Sequence, residues 1–537
     1  MIHIEAANPF NTITKAQARE ATKRVAHILR DRYSIGTTGF GKDVVLAILY
    51  GGPLAPVIFY GIVAAGGIYS GASTESTVSE LITQIKSAEA CVLVCSPECQ
   101  GQVLEAAAQC GLSDDKVLVA DGSIPGQWTL NAKTQSRSQI SILQATAPGL
   151  DWSPITDSNA LANTTVCLLY SSGTTGLPKG VRISHRSLVA STVCTMEAAK
   201  QYQRSHSGFA FNTVAHLPMS NIAGIGLYSI NPFYMGGTTY WMKKYNFESF
   251  IEYHRRYRPA YQFSVPPVWL QVSKSVNVTD HFDGLMVAST GSAPIGPDTI
   301  QDLRHKLGRG RTDIYQTWGT TETSGVITAQ NWERFSQTGA WSVGELCPTT
   351  TLRVVDEDDR DVAEGEPGEL LVGGPILAQG YFKRPDADQE AFGQPPGFYR
   401  TGDIGAYKEG LVYILDRKKE LIKYKATQVA PAELEAVLTS HPAIVDAAVI
   451  GVWDKVRQTE VPRAYIVRRL TGESLSADKA LVSANEVSEY AKSRLSTHKH
   501  LRGGVYFLES IPKSASGKIL RKELRLKAQV NNMTPKL

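Results

Sequence analysis

Apolar residues recur at helical spacing over roughly residues 15–29, and the run VVLAILY at 44–50 then predicts a strand ahead of a helix near 57–67. From there to about residue 467, short β-rich runs such as VCLLY (166–170), LMVAST (285–290) and TDIYQTW (312–318) alternate with helical segments such as DTIQDLRHKL (298–307). That alternation predicts an α/β fold of layered, largely parallel sheets. Residues 350–381 break the pattern, because TLRVVD, GELLVGG and a Gly/Pro/Asp-rich connection predict β-hairpins, hence a β-rich subdomain closing the large unit. After residue 416 the chain turns basic (RKKELIKYK) and then gives a small α/β unit ending in a Lys/Arg-rich helix. The expected organisation is a large N-terminal domain over residues 1–416 and a small C-terminal α/β domain over 417–537.

Composition changes this picture little. At 537 residues the chain exceeds the usual reach of a single core, in keeping with two packed units. The 55 basic and 51 acidic residues give a net charge of +4 with no long run of one sign, so no nucleic-acid partner is expected. The opening MIHIEAANPF lacks a basic stretch followed by an apolar core, and the best apolar stretch is broken by Gly and Pro. Neither a signal peptide nor a membrane span is expected. The 7 cysteines are scattered without a CxxC pair, and point to reduced structural thiols. Pro535, Lys536 and Leu537 differ only at the first position from the S-K-L address read by the peroxisomal import receptor. Peroxisome and cytoplasm both stand as expected locations.

The strongest chemical signal is YSSGTTGLPKGV at 170–181, set between the apolar run VCLL and the helix-like HRSLVASTV. Its Ser171, Ser172, Gly173, Thr174, Thr175 and Gly176 offer backbone N–H groups and hydroxyls to phosphate oxygens, and Lys179 adds a point charge. The spacing is not that of a Walker A loop, since Lys179 is preceded by Pro178 and followed by Gly180.

Over its whole length this segment resembles the phosphate-loop signature of adenylate-forming enzymes, the superfamily of acyl- and aryl-CoA synthetases, 4-coumarate-CoA ligases, beetle luciferases and peptide-synthetase adenylation domains. Further motifs follow in the family's order: TGSAP at 290–294, YQTWGTTETSG at 315–325, YRTGD at 399–403, DRKKELIKYKATQVAPAELE at 416–435 and PKSASGKILRKEL at 512–524. The resemblance covers roughly residues 40–525. It implies ATP, Mg2+ and coenzyme A as reactants or cofactors, with Ser292, Gln316, Thr317 and Trp318 beside adenine, Thr321 at the α-phosphate and Glu322 holding Mg2+. It further implies that Asp403 and Arg417 bind ribose, that Lys419 is the hinge of a mobile C-terminal domain, and that Lys518 bridges the substrate carboxylate and the α-phosphate. Lys179, Glu322 and Lys518 are then the catalytic set, since fixed cations aimed at developing charge are among the largest contributions an enzyme makes.

For the acyl pocket the resemblance implies Asn221, Ala223, Leu227, Ser289, Gly291, Thr317, Gly319 and Gly325. The chain reads LPMSNIAGIGL where 4-coumarate-CoA ligases read LPMxHxY and small residues, and Thr317 replaces a Gly. Losing the phenol contact implies an aryl or medium-chain aliphatic acid rather than p-coumarate. For coenzyme A it implies Lys244, Lys425 and Ala426, the last in place of a Gly. The expected activity is an AMP-forming acyl- or aryl-CoA ligase. An enzyme handing the acyl group to an amine or a carrier-protein thiol, a luciferase-like oxygenation and a non-catalytic nucleotide sensor stand as alternatives.

Overall fold

The computed structural model describes residues 1–132, 141–171, 178–332, 342–425, 427–469, 482–514 and 517–533. The central strands of the first sheet read as near-continuous apolar runs because helices cover both faces. Val44–Ile48 is buried at every position and pairs in parallel with Ile68–Gly71 on one side and Ala90–Cys95 on the other. The sheet continues through Val117–Asp121 to the antiparallel Thr129–Ala132 at one edge, and through Thr165–Ser171 to the antiparallel Lys179–Ser184 at the other. A second parallel set, Tyr261–Ser264, Val287–Thr290 and Ile314–Gln316, lies beside a sheet formed by Thr213–Ala215, Thr239–Trp241, His3–Glu5 and Thr12–Ile13. One large core fills the space between these layers, and a smaller one covers the outer face of the first sheet.

The first helix runs over Lys15–Tyr33, four residues beyond its expected end; it starts at a Thr14/Gln17 capping box and stops where Ser34 takes a left-handed φ of 59°. The second is shifted N-terminally to Leu54–Ala64. The β-rich part is larger than the sequence pattern suggested. Thr351–Val355 and Gly368–Gly373 form the expected hairpin, and Phe398–Lys408 and Leu411–Arg417 extend it into a four-stranded antiparallel meander. The last strand therefore ends on the basic run. Beyond it, a hairpin of Ile422–Tyr424 and Thr427–Val429 precedes the C-terminal sheet of Ile444–Asp454, Thr459–Arg468 and Val505–Phe507, which has apolar clusters of its own. Helices Pro431–Thr439, Ala484–Lys492 and Arg521–Met533 pack on it. Among the described residues no helix is long and apolar enough to cross a membrane, and all seven cysteines are free.

Candidate active site

A cavity of about 590 Å3 opens where the two parallel sheets, the meander and the C-terminal domain meet. Ser171 ends one strand and Lys179 begins the next, and antiparallel pairing sets the two residues opposite each other on the cavity wall. Residues 172–177, which carry Ser172, Gly173, Thr174, Thr175 and Gly176, lie outside the described residues. Strand Lys179–Ser184 also holds the chain at 379–382, through Arg182 N–H to Gly380 and Phe382 N–H to Gly180. That tie places Tyr381 with its ring 4.7 Å from the Lys179 ammonium.

Glu322 sits in a 3-10 turn at the tip of a short hairpin, Gly319–Thr320 against Gly325–Val326. The strands approach so closely that a Cβ on Gly319 would lie 2.1 Å from the Gly325 carbonyl oxygen, and Ser324 reverses the chain at φ 55°. The buried carboxylate accepts hydrogen bonds from Ser171 Oγ and Tyr381 Oη, both at 3.0 Å and both on Oε1. Burial raises the Tyr381 phenol well above its usual range, with the Glu322 charge adding to it, so it stays a donor. Among the described residues no three His, Cys, Asp or Glu side chains gather as a metal cage. Among the described residues one oxygen of this carboxylate has no protein donor, which suits Mg2+, a cation that commonly takes one or two protein carboxylates and completes its shell with phosphate oxygens and water.

Lys518 reaches the same cavity from the C-terminal domain. Ser514 and Lys518 close its turn, Ser514 N–H to the Lys518 carbonyl at 2.8 Å and Lys518 N–H to Ser514 Oγ at 3.2 Å. Burial lowers the Lys518 ammonium from its ordinary value, with Arg417 repulsion adding and Glu420 and Asp403 opposing. Three residues on, the buried Arg521 donates to both oxygens of Glu435 at 2.6 and 2.8 Å and to Glu420 at 2.9 Å. This network was invisible in the sequence and ties the lysine turn to the start of the C-terminal domain. Arg417, Lys418 and Lys419 also line the cavity, so cations from three segments surround one space.

Trp318 and Asp403 are buried and bonded to each other: the indole N–H donates to Asp403 Oδ2 at 2.8 Å, and the other carboxylate oxygen pairs with Arg417 at 2.5 Å. Gln316 is buried, with its Oε1 3.4 Å from Ile295 N. Ser292 does line the cavity, held at φ 72°, as do Thr317 and Thr321. Lys244 is an exposed residue paired with Glu75 at 3.0 Å and does not line the cavity. Lys425 is exposed with φ 54°, and Ala426 lies outside the described residues, as does the tripeptide Pro535, Lys536 and Leu537.

Asn221, Ala223, Leu227, Ser289, Gly291, Gly319 and Gly325, expected at an acyl pocket, all line the cavity. Asn221 has a structural task there, since it caps helix Ile222–Ile225 through Oδ1 and Gly224 N–H at 3.0 Å. Thr317 packs closely on this wall, its Oγ1 lying 2.9 Å from where a Gly291 Cβ would sit. Tyr261 and Phe263 give this end an aromatic lining, with Tyr261 and Trp332 stacked at 5.7 Å and 26°.

Comparison with known proteins agrees with this geometry. A protein of Emericella nidulans named as a putative acyl-coenzyme A synthetase is 44% identical over 532 residues, covering 98% of this chain and 93% of the relative. A phenylacetyl-CoA ligase of Aspergillus niger is 32% identical over 536 residues, covering 97% and 93%. ATP-bound MatB from Rhodopseudomonas palustris superposes with a TM-score of 0.79 at 25% identity, covering 98% of this chain and 95% of that one. The AMP-binding enzyme family matches residues 3–382, and the AMP-binding enzyme C-terminal domain matches residues 433–518. Cations, carboxylate and aromatic pocket thus sit on a scaffold shared from end to end with these proteins, and the chain belongs to the AMP-binding enzyme family.

Proposed function

We infer that the protein is an AMP-forming acid–thiol ligase, which activates a carboxylic acid as its acyl-adenylate and passes the acyl group to coenzyme A. The observation that carries this reading is the meeting of Lys179, Glu322, Arg417 and Lys518 at one cavity whose other end is aromatic and apolar. A carboxylate oxygen of the substrate attacks the α-phosphorus of ATP, and the bond to pyrophosphate breaks with its electron pair leaving on pyrophosphate. The protein's task is position and charge neutralisation rather than covalent catalysis. Lys179 faces the phosphates, and Lys518 lies between carboxylate and α-phosphate. Glu322, oriented by Ser171 and Tyr381, would hold Mg2+, which neutralises phosphate charge. The thiol of coenzyme A then attacks the acyl carbon and AMP leaves.

Both half-reactions share one adenylate site, so the reading includes a division at residues 416–417 and a pivot at Lys419. Strand Leu411–Arg417 and the ion pair of Lys418 with Glu369 at 2.8 Å support a fixed large-domain side to that pivot. Rotation would withdraw Lys518 and present loop 422–428, with Lys425 and Ala426, to the pantetheine. The aromatic lining, with Ala223 and Thr317 in the wall, favours an aryl or medium-chain acid; the relative named for phenylacetyl-CoA is consistent with that class. Import into peroxisomes through Pro535, Lys536 and Leu537 and a cytoplasmic location are the two places proposed, distinguished with a fluorescent fusion carrying or lacking those three residues.

The deciding experiment measures pyrophosphate release from ATP across a panel of aryl and aliphatic acids, with and without coenzyme A. Acid-dependent release that yields an acyl-CoA on adding the thiol supports the ligase and identifies its substrate. Release without thioester would redirect the acyl group to another acceptor, and no release with any acid would sink the reading.

A further inference from the structure

Helix Pro266–Lys274 belongs to the large domain, yet the C-terminal domain rests on both of its ends. At its N-terminal end Val265 lines the cavity and Pro267 meets the turn that carries Lys518. Gly517 stands there at φ 79°, and a Cβ on it would lie 3.3 Å from Pro267 Cγ and 3.4 Å from Val265 Cγ2. At the other end the half-buried Lys274 ammonium donates to the carbonyl of Thr439 at 2.8 Å and also to that of Ile444. Thr439 is the last residue of helix Pro431–Thr439 and Ile444 the first of strand Ile444–Asp454. One cation therefore engages the carbonyl end of a helix, where the backbone lacks intrahelical partners and the dipole favours positive charge. Between the two ends runs a rigid helix of nine residues, about 14 Å long at 1.5 Å per residue.

The partners of Lys274 are carbonyls rather than carboxylates, which fixes position without neutralising charge. Burial and the nearby Arg469 push its ammonium down to about 8, while Asp302 and Asp446 pull the other way; His441 faces it from the C-terminal domain. A second contact of the same two bodies lies alongside, where a Cβ on Gly296 would stand 3.2 Å from the Cβ of Ala436 in helix Pro431–Thr439.

We propose that Lys274 is a positioning residue for the first half-reaction, latching the C-terminal domain in the arrangement that inserts Lys518 into the cavity. The proposal rests on the reading of Lys518 as the lysine of adenylation. Its bonds exist in the inserted arrangement and are lost on rotation about the pivot, so they bias the population toward adenylation and against thioester formation.

The test separates the half-reactions in Lys274→Met, with acid-dependent pyrophosphate release for the first and conversion of supplied acyl-adenylate plus coenzyme A for the second. Adenylation is expected to fall by about tenfold to a hundredfold, the loss of charge-assisted hydrogen bonds, while the thioester step holds or quickens. Lys274→Arg should restore part of the loss. Gly296→Val, which crowds Ala436 without touching Lys274, should give the same asymmetry in a chain that melts as the wild type does. Equal losses in both half-reactions, or an unchanged adenylation rate, would overturn the latch. Survival of adenylation in Lys518→Ala would instead overturn the underlying reading of Lys518.

Discussion

On the large-domain side of the cavity, Ser171, Lys179, Glu322 and Tyr381 are fixed by strand pairing and by hydrogen bonds among themselves. On the facing side, Lys518 stands on a turn whose ties are to its own domain, through Arg521 to Glu420 and Glu435, while that domain meets the large one through Lys274 and the packing around Gly517 and Gly296. The first side is built in place; with the proposed pivot at Lys419, the second is delivered. An enzyme that must run two reactions in one site gains from this asymmetry, because the groups common to both steps stay still and the group needed for one can leave.

Removing the delivered group gives the largest expected effect. Lys518→Ala should lower adenylation by about a thousandfold or more yet still convert a supplied acyl-adenylate and coenzyme A to thioester, as product analysis of the two half-reactions will show. Breaking the delivery mechanism comes next. Arg521→Met leaves the part-buried Glu435 and Glu420 without their cation, and should destabilise the C-terminal domain by about 3 kcal/mol, read by chemical denaturation, with adenylation and thioester formation both impaired. On the built side, which serves both steps, Tyr381→Phe removes one donor to Glu322 and should cost about tenfold in the adenylation kcat without the sharp separation of the two half-reactions expected of Lys518→Ala. The smallest effect is one of pH. Lys518 acts as a cation, present below its pKa, and burial lowers that pKa. Adenylation should therefore fade with rising pH earlier than an ordinary lysine would dictate, and the second half-reaction, which does not use Lys518, should lack that limb.

The motifs made much of the site legible in advance. Lys179, Glu322, Arg417 and Lys518 are separated by up to hundreds of residues yet meet at one cavity, because each lies in a short segment whose local chemistry is distinctive. What stayed hidden is long-range pairing. Tyr381 lies 59 residues from Glu322 and Lys274 lies 165 from Thr439, and no periodicity or spacing links such partners. Trp318 and Asp403 belong to motifs 85 residues apart, and nothing in either motif shows that in the fold the two side chains bond to each other. Asn221 was read by analogy as a pocket residue, although an Asn ahead of a short helix is itself a capping signal. The hairpin at 350–381 was visible from its turns, but its continuation to Arg417 was masked by the Gly and charged residues in those two strands.

The meander has one more consequence. Strand Leu411–Arg417 carries firm pairing up to Arg417, and Lys418 is moored to Glu369 beside it. The proposed pivot at Lys419 is thus left with very few free torsions. A short swivel makes the C-terminal domain a lever, in which a small angular error at the pivot grows with distance into a displacement at the Lys518 amine. Since a misplacement of about 1 Å can cost a hundredfold in rate, precision at the tip has to come from the surface against which the lever comes to rest, and the strength of that end-stop sets how quickly the enzyme can change from one reaction to the other.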